Sequence, residues 1–310
     1  MFSRVSVVAL NTYREAVRAR VLHGMFALAI ATAGYSLVVG AFTLNSALRV
    51  VSDLGAASIS VYGIIVAVVL GATSLYRELE LKTIFPILAR PIRRSEYLVG
   101  KYLGTVLTLA VFIAANSGAL LLALGVEAGR SIAAPLGVAT GLTVLAGALA
   151  FRSARLRTYL PIPWALALLI AGAYFAGGAP DDRRVVLGSA LLTLAEVALV
   201  TAIATVFSSF SSPFLTAIFT FGVFAVGRSA DTLARLPVRL FGSALSSAGA
   251  FVSKIVPNLM LYVPPRPLLI GEASGPSLGH YLGLAVLHSV AWSVLLLAAA
   301  SMLFRRRDFL

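Results

Sequence analysis

The residues of this chain that could do chemistry are few, and their spacing argues against catalysis. His23, His280 and His288 stand far apart, whereas hydrolytic or metal chemistry needs His, Asp or Glu clustered at ligand spacing. Cys is absent, which removes disulfides, thiolate metal sites and cysteine nucleophiles. The Gly-Lys pair at Gly100 and Lys101 lacks both the leading Gly and the following hydroxyl residue of a phosphate-cradling loop. The chain reads as a non-enzyme that binds no cofactor or metal of its own. If nucleotide drives it, another chain holds the nucleotide. One carboxylate is conspicuous: Glu196, in LLTLAEVALVTAIATVFSSF, is the single charged residue well inside an apolar run. A carboxylate is expensive in hydrocarbon, so it must face a bundle interior or a water-filled path. It either lines a translocation route or makes a structural hydrogen bond to Thr193, Thr201 or a neighbouring helix.

The elements that carry these residues follow from composition. The 310 residues are 59% hydrophobic and 12% charged, with mean hydropathy +0.95, where soluble domains are about 25% charged. The chain is an all-α integral membrane protein, a polytopic helical bundle forming a single domain over 1–310. Crossing about 30 Å of hydrocarbon takes roughly 20 apolar residues. Eight runs qualify: 21–43, 57–75, 101–125, 133–151, 159–177, 186–207, 211–227 and 281–304. With both termini cytoplasmic, sixteen of the 25 Lys and Arg fall inside and nine outside, as the positive-inside rule requires. The net charge of +13 is thereby explained by topology, without nucleic acid, and no aromatic-basic interleaving suggests base stacking. The first twenty residues hold four Arg and no compact apolar core, so a cleaved signal peptide is not expected.

Two segments outside the spans have helical periodicity. Residues 1–20 read as an interfacial helix, with Arg14 and Arg18 on a polar side and Val5, Val8, Val17 and Val21 available to lipid; a basic topogenic leader is the other reading. In the external segment 228–280, residues 238–256 form an amphipathic helix bracketed by Pro237 and Pro257. Gly137, Gly141 and Gly147 are expected to permit close helix contact. Between the second and third spans, the cytoplasmic region 76–100 alternates charge with an apolar patch at Ile84, Phe85, Ile87 and Leu88. It reads either as a solvated turn or as a short amphipathic helix ended by Pro91, with Ser95 capping the next span.

That region, RELELKTIFPILARPIRRSEYLVGKYLG, resembles the signature between the second and third spans of ABC-2 type transporter permeases, at Glu80, Thr83, Leu88, Pro91, Arg94, Gly100 and Lys101. ALNTYREAVRARVLHGMFALAI is similar to the interfacial helix and first span of bacterial members, LGAASISVYGIIVAVVLGATSLYRE to their second span, SSFSSPFLTAIFTFGVFAVG to a later hairpin, and the terminal FRRRDF also fits. The family has six spans, so 133–177 is an extra hairpin, or is partly re-entrant. The resemblance implies a permease subunit in the bacterial inner membrane, an exporter of unread substrate, paired with a second permease half as homodimer or heterodimer. ATP and Mg would sit on a separate ABC ATP-binding subunit, and membrane lipid would surround the rest. A coupling helix at about 77–89 would dock on that subunit through Arg77, Glu78, Glu80, Lys82, Thr83, Ile84, Phe85, Arg90 and Arg94. Ile84 and Phe85 would be its apolar anchors. The rival reading is a non-transporting scaffold or mechanotransmitter driven by the same kind of ATPase; an ion-coupled carrier would want more intramembrane charge than Glu196.

Overall fold

Hydrocarbon offers backbone N–H and C=O groups no partner, so the long apolar runs close into helices. The computed structural model describes residues 2–43, 46–80, 93–272 and 277–305, with backbone alone at 2–3, 75–80, 154–155 and 305. Among the described residues all regular structure is helical. In chain order the helices are α1 (Phe2–Ala16), α2 (Arg20–Ala41), α3 (Ala47–Glu80), α4 (Arg94–Glu127), α5 (Ala133–Arg152), α6 (Ala154–Tyr159) and α7 (Pro161–Phe175). They continue with α8 (Pro180–Ser208), α9 (Pro213–Arg228), α10 (Ala230–Ala234), α11 (Val238–Ile255), α12 (Arg266–Ile270) and α13 (Leu278–Arg305). Seven of these are long and apolar enough to cross a membrane: α2, α3, α4, α5, α7 with the 3-10 turn that continues it, α8 and α13. The chain is a multi-pass membrane protein.

Local sequence sets the helix ends. Pro180 opens α8, where its missing N–H costs nothing, and Asp181 and Asp182 sit in the first turn, favoured by the helix dipole. Pro213 opens α9 in the same way after Ser212. α4 begins at Arg94, not at a Ser95 cap: Arg93 holds the cap position, its backbone N–H donating to the Glu96 carboxylate at 3.1 Å. A carboxylate three residues in, reaching back to the cap, competes better than a hydroxyl already inside the first turn. At 34 residues each, α3 and α4 are about 51 Å long at 1.5 Å per residue, well beyond the hydrocarbon core.

The centre of the bundle is α3, α4 and α8, whose Val66, Ala67, Leu120, Leu124, Val197 and Val200 form one buried cluster. α7 joins α4 at backbone distance. A β-carbon at Gly118 would lie 2.6 Å from the Leu168 carbonyl carbon, and one at Gly172 2.8 Å from Leu121 Cβ. Among the described residues the expectation for Gly137, Gly141 and Gly147 is not met: a β-carbon at any of them meets none of those residues within 4 Å. Only 6% of the apolar window of α5 is buried, against 67% for α4 and α8, because a helix in lipid need not cover its apolar sides with protein.

α1 lies against the start of α4. A β-carbon at Gly100 would meet Val8 Cβ at 2.6 Å, and one at Gly104 would meet Thr12 Cβ at 2.7 Å. Val8 therefore packs toward protein, contrary to the lipid-facing expectation, Val5 is half-buried, and Val7 and Leu10 are exposed. The Gly-x-x-x-Gly spacing of Gly100 and Gly104 makes the groove that receives α1. The helix over 238–256 is likewise not one continuous cylinder. Gly242 has φ 77° and breaks it, a backbone conformation side-chain-bearing residues rarely adopt.

Candidate functional site

Glu196 lies about halfway along α8, some 21 Å from Asp182 at 1.5 Å per residue. Its side chain is 1% exposed, and Arg228 Nη2 pairs with it at 2.9 Å. Arg228 closes α9, whose 16 residues reach only about 24 Å, short of a full crossing. The seventh expected span thus ends at the depth of Glu196, and Arg228, assigned to the external segment from sequence, is the counter-ion of the buried carboxylate. Its guanidinium also stands over the Phe224 ring, 5.5 Å from the centroid. Neither Thr193 nor Thr201 was needed; Thr201 bonds back to the Val197 carbonyl of its own helix.

The segment after α9 returns to this level and then climbs away from it. Leu259 N–H donates to the Gly227 carbonyl at 3.0 Å, which seats the return on the end of α9. Tyr262 OH meets His288 Nδ1 at 2.9 Å, and Ser289 Oγ, one residue along α13, donates to the Ala195 carbonyl at 2.6 Å. Four residues after Tyr262, Arg266 opens α12 between Pro265 and Pro267 and bridges the starts of two membrane helices. It donates to Asp53 of α3 and to Asp182 of α8, and to Ser52 Oγ at 3.1 Å; Ser52 in turn donates to Asp182 at 2.8 Å. Between the two ion pairs runs an open cleft of about 400 Å³, with Asp53, Ser60, Thr193, Arg228, Tyr262 and Arg266 in its walls. It can hold a polar or zwitterionic group, since both signs of charge and several hydroxyls face one space.

Sequence reasoning found Glu196 and missed Arg228, Arg266, Asp53 and Asp182. The only local signal was a Pro-flanked Arg in VPPRPLLI; its partners lie 84 and 213 positions away. At the opposite end of the bundle, Lys101 is 4% exposed and its Nζ donates to the Ser74 carbonyl at 2.6 Å, tying α4 to α3. Of the expected docking residues, Arg94 is half-buried and donates to the Phe304 carbonyl at 3.2 Å, so it also fastens α13. Arg77, Glu78 and Glu80 form the backbone end of α3, which runs on without a break where a separate coupling helix was expected to begin. Lys82, Thr83, Ile84, Phe85 and Arg90 lie outside the described residues. Among the described residues no three of His, Asp and Glu gather as metal ligands.

Fold and site together define a multi-pass helical membrane protein with a charge-paired cleft entering the bundle from one end. No protein-family model matches the chain, and no curated protein matches it.

Proposed function

We propose that this chain is the transmembrane permease subunit of an ATP-driven ABC transporter of the ABC-2 type, an exporter working with a separate ATP-binding subunit and a second permease half. The observation that carries the reading is the lock between the two helices that flank 81–93. Lys101, half of the Gly-Lys pair in the family-like signature, holds the Ser74 carbonyl of α3, so force applied at that segment would reach both central helices as one body. Both helices overhang a bilayer, as levers engaged by a cytosolic partner must. α1 and the end of α13 lie against α4 near its start, which agrees with both termini on the cytoplasmic side of a bacterial inner membrane. In this reading there are eight crossings, the seventh made in two pieces by α9 and the climb from Leu259 to Arg266. α5 and α7 are the hairpin added to a six-span core, and the Glu196–Arg228 cleft belongs to the translocation path.

The test is co-expression with any ABC ATP-binding subunit found among the neighbouring genes, followed by co-purification and ATPase assay in nanodiscs. Glu80→Arg is expected to lower coupled ATPase at least tenfold while the membrane domain keeps its elution profile. Lys101→Met should retain the complex and lose coupling. Undiminished coupled activity in both variants would remove this interface from the mechanism, and ATPase coupling without substrate movement would favour the mechanotransmitter.

A further inference from the structure

We propose that the groove between α2, α4, α5 and α7 is a binding site for one acyl chain of an anionic phospholipid, with its headgroup held at Arg157. The groove has a volume of about 410 Å³, within the roughly 300–1,000 Å³ of ligand sites, and it opens along one side. Phe26, Phe112, Ala146 and Leu160 supply apolar wall. The two threonines in the wall present methyls, because Thr108 Oγ1 is spent on the Gly104 carbonyl and Thr143 Oγ1 on the Ala139 carbonyl, each within its own helix. An apolar groove of this kind does not hold ordered water, which needs two to four polar partners.

Of the polar groups that remain, Arg157 and the Trp164 indole N–H suit an anion. Arg157 lines the groove, and no carboxylate pairs with it among the described residues. His23 is beside it in the lining, its Nδ1 occupied by the Ala19 carbonyl at 3.0 Å. Trp164 has its indole N–H buried without a partner among the described residues. The surrounding chain is strongly basic: 15–24 and 150–164 contain Arg18, Arg20, Arg152, Arg155 and Arg157 against the one carboxylate Glu15. Basic pockets between membrane helices near an interface select anionic headgroups. The groove is walled by the hairpin and α2, away from the Glu196–Arg228 cleft, so its occupant is a resident lipid and not the cargo of that cleft. The inference rests on the membrane fold alone and not on the transport reading.

Two tryptophans make the test direct. With Trp292→Phe, Trp164 reports alone in nanodiscs of phosphatidylcholine doped with a few per cent of brominated-chain phosphatidylglycerol or brominated-chain phosphatidylcholine. Brominated phosphatidylglycerol is expected to quench Trp164 at least threefold more than the brominated zwitterion. Arg157→Gln should erase that preference. Gly147→Leu should reduce quenching by the anionic lipid, since a side chain there enters the groove and its β-carbon meets nothing within 4 Å. Gly141→Leu, on α5 outside the groove lining, should leave it unchanged. Equal quenching by the two headgroups in the parent overturns the anionic assignment. A preference that survives both Arg157→Gln and Gly147→Leu puts the lipid elsewhere and overturns the groove. No readout here needs an ATP-binding partner, so failure of this proposal is distinct from failure of the transport reading.

Discussion

Removing one partner of the Glu196–Arg228 pair should cost unequal amounts depending on which partner goes. Glu196 is 1% exposed at its side chain and Arg228 23%. Arg228→Met leaves a fully enclosed carboxylate with its cation gone, the situation that costs about 3–5 kcal/mol when buried pairs are broken. Glu196→Gln leaves a guanidinium that reaches the open cleft and its water, where the loss is nearer the ~1.5–3 kcal/mol of a hydrogen bond to a charged group. The double variant removes both charges and should be more stable than Arg228→Met alone, with a coupling energy above about 1.5 kcal/mol. The assay is equilibrium unfolding of the purified protein in mixed micelles of rising denaturing-detergent fraction, followed by tryptophan fluorescence. Three outcomes would sink the argument: additive single costs, a Glu196→Gln penalty larger than that of Arg228→Met, or both singles under about 0.5 kcal/mol. Any of them would mean that water reaches Glu196 as easily as it reaches Arg228.

Gly104→Leu should dislodge α1, because the side chain would enter the backbone of Ala9 and the Thr12 side chain. Overpacking of about 1–3 kcal/mol is enough to lift a short helix, and a spin label at Leu10→Cys, the only cysteine in the chain, should change from restricted to mobile. Arg266→Ala should destabilise by about 1–3 kcal/mol, discounted because Asp53 is 44% exposed, and should free α12 from α3 and α8. Adding Asp182→Asn should recover part of that loss in the same unfolding assay, since Asp182 is the carboxylate left without its cation, whereas Asp53 keeps Arg49 at 3.5 Å.

Which parts of this arrangement a single sequence reveals depends on whether the physical cause is local. The long apolar runs are local, and each became a helix; their overhangs were not legible, because charged residues such as Arg49, Asp53 and Arg94 read as loop although the helix simply continues into water. Glu196 was legible as an exception to its surroundings. Its partner was not, since Arg228 sits at the end of a run that reads as reaching the far surface. The glycines misled for a related reason: Gly118 and Gly137 both stand in apolar helices, and only the neighbour decides which one is a contact. The periodicity of 238–256 carries straight through Gly242, so nothing in the pattern marks the break that its φ of 77° makes. Side-chain spacing records which face is apolar and is blind to what the face meets, as Val8 illustrates by meeting α4 instead of lipid.

The hairpin of α5 and α7 is the place where these observations bear on one another. Were it a passive insertion, both of its helices could lie loosely against the bundle, since lipid solvates apolar helices as well as protein does. α5 behaves that way. α7 does not: Gly118 and Gly172 bring it to α4 at a separation no side chain could share, and Gly125 repeats the contact at Phe175, where a β-carbon would lie 2.9 Å from the carbonyl oxygen. Three such positions on one helix pair make the α4–α7 interface a continuation of the core. α4 also carries Lys101, which fixes α3, and the glycines that receive α1. A displacement of α4 must therefore carry α7 with it, while α5, held mainly through its connections to α7, can follow at a different pace. The groove between them is the space such a difference would open or close, and a lipid chain seated there would resist the change.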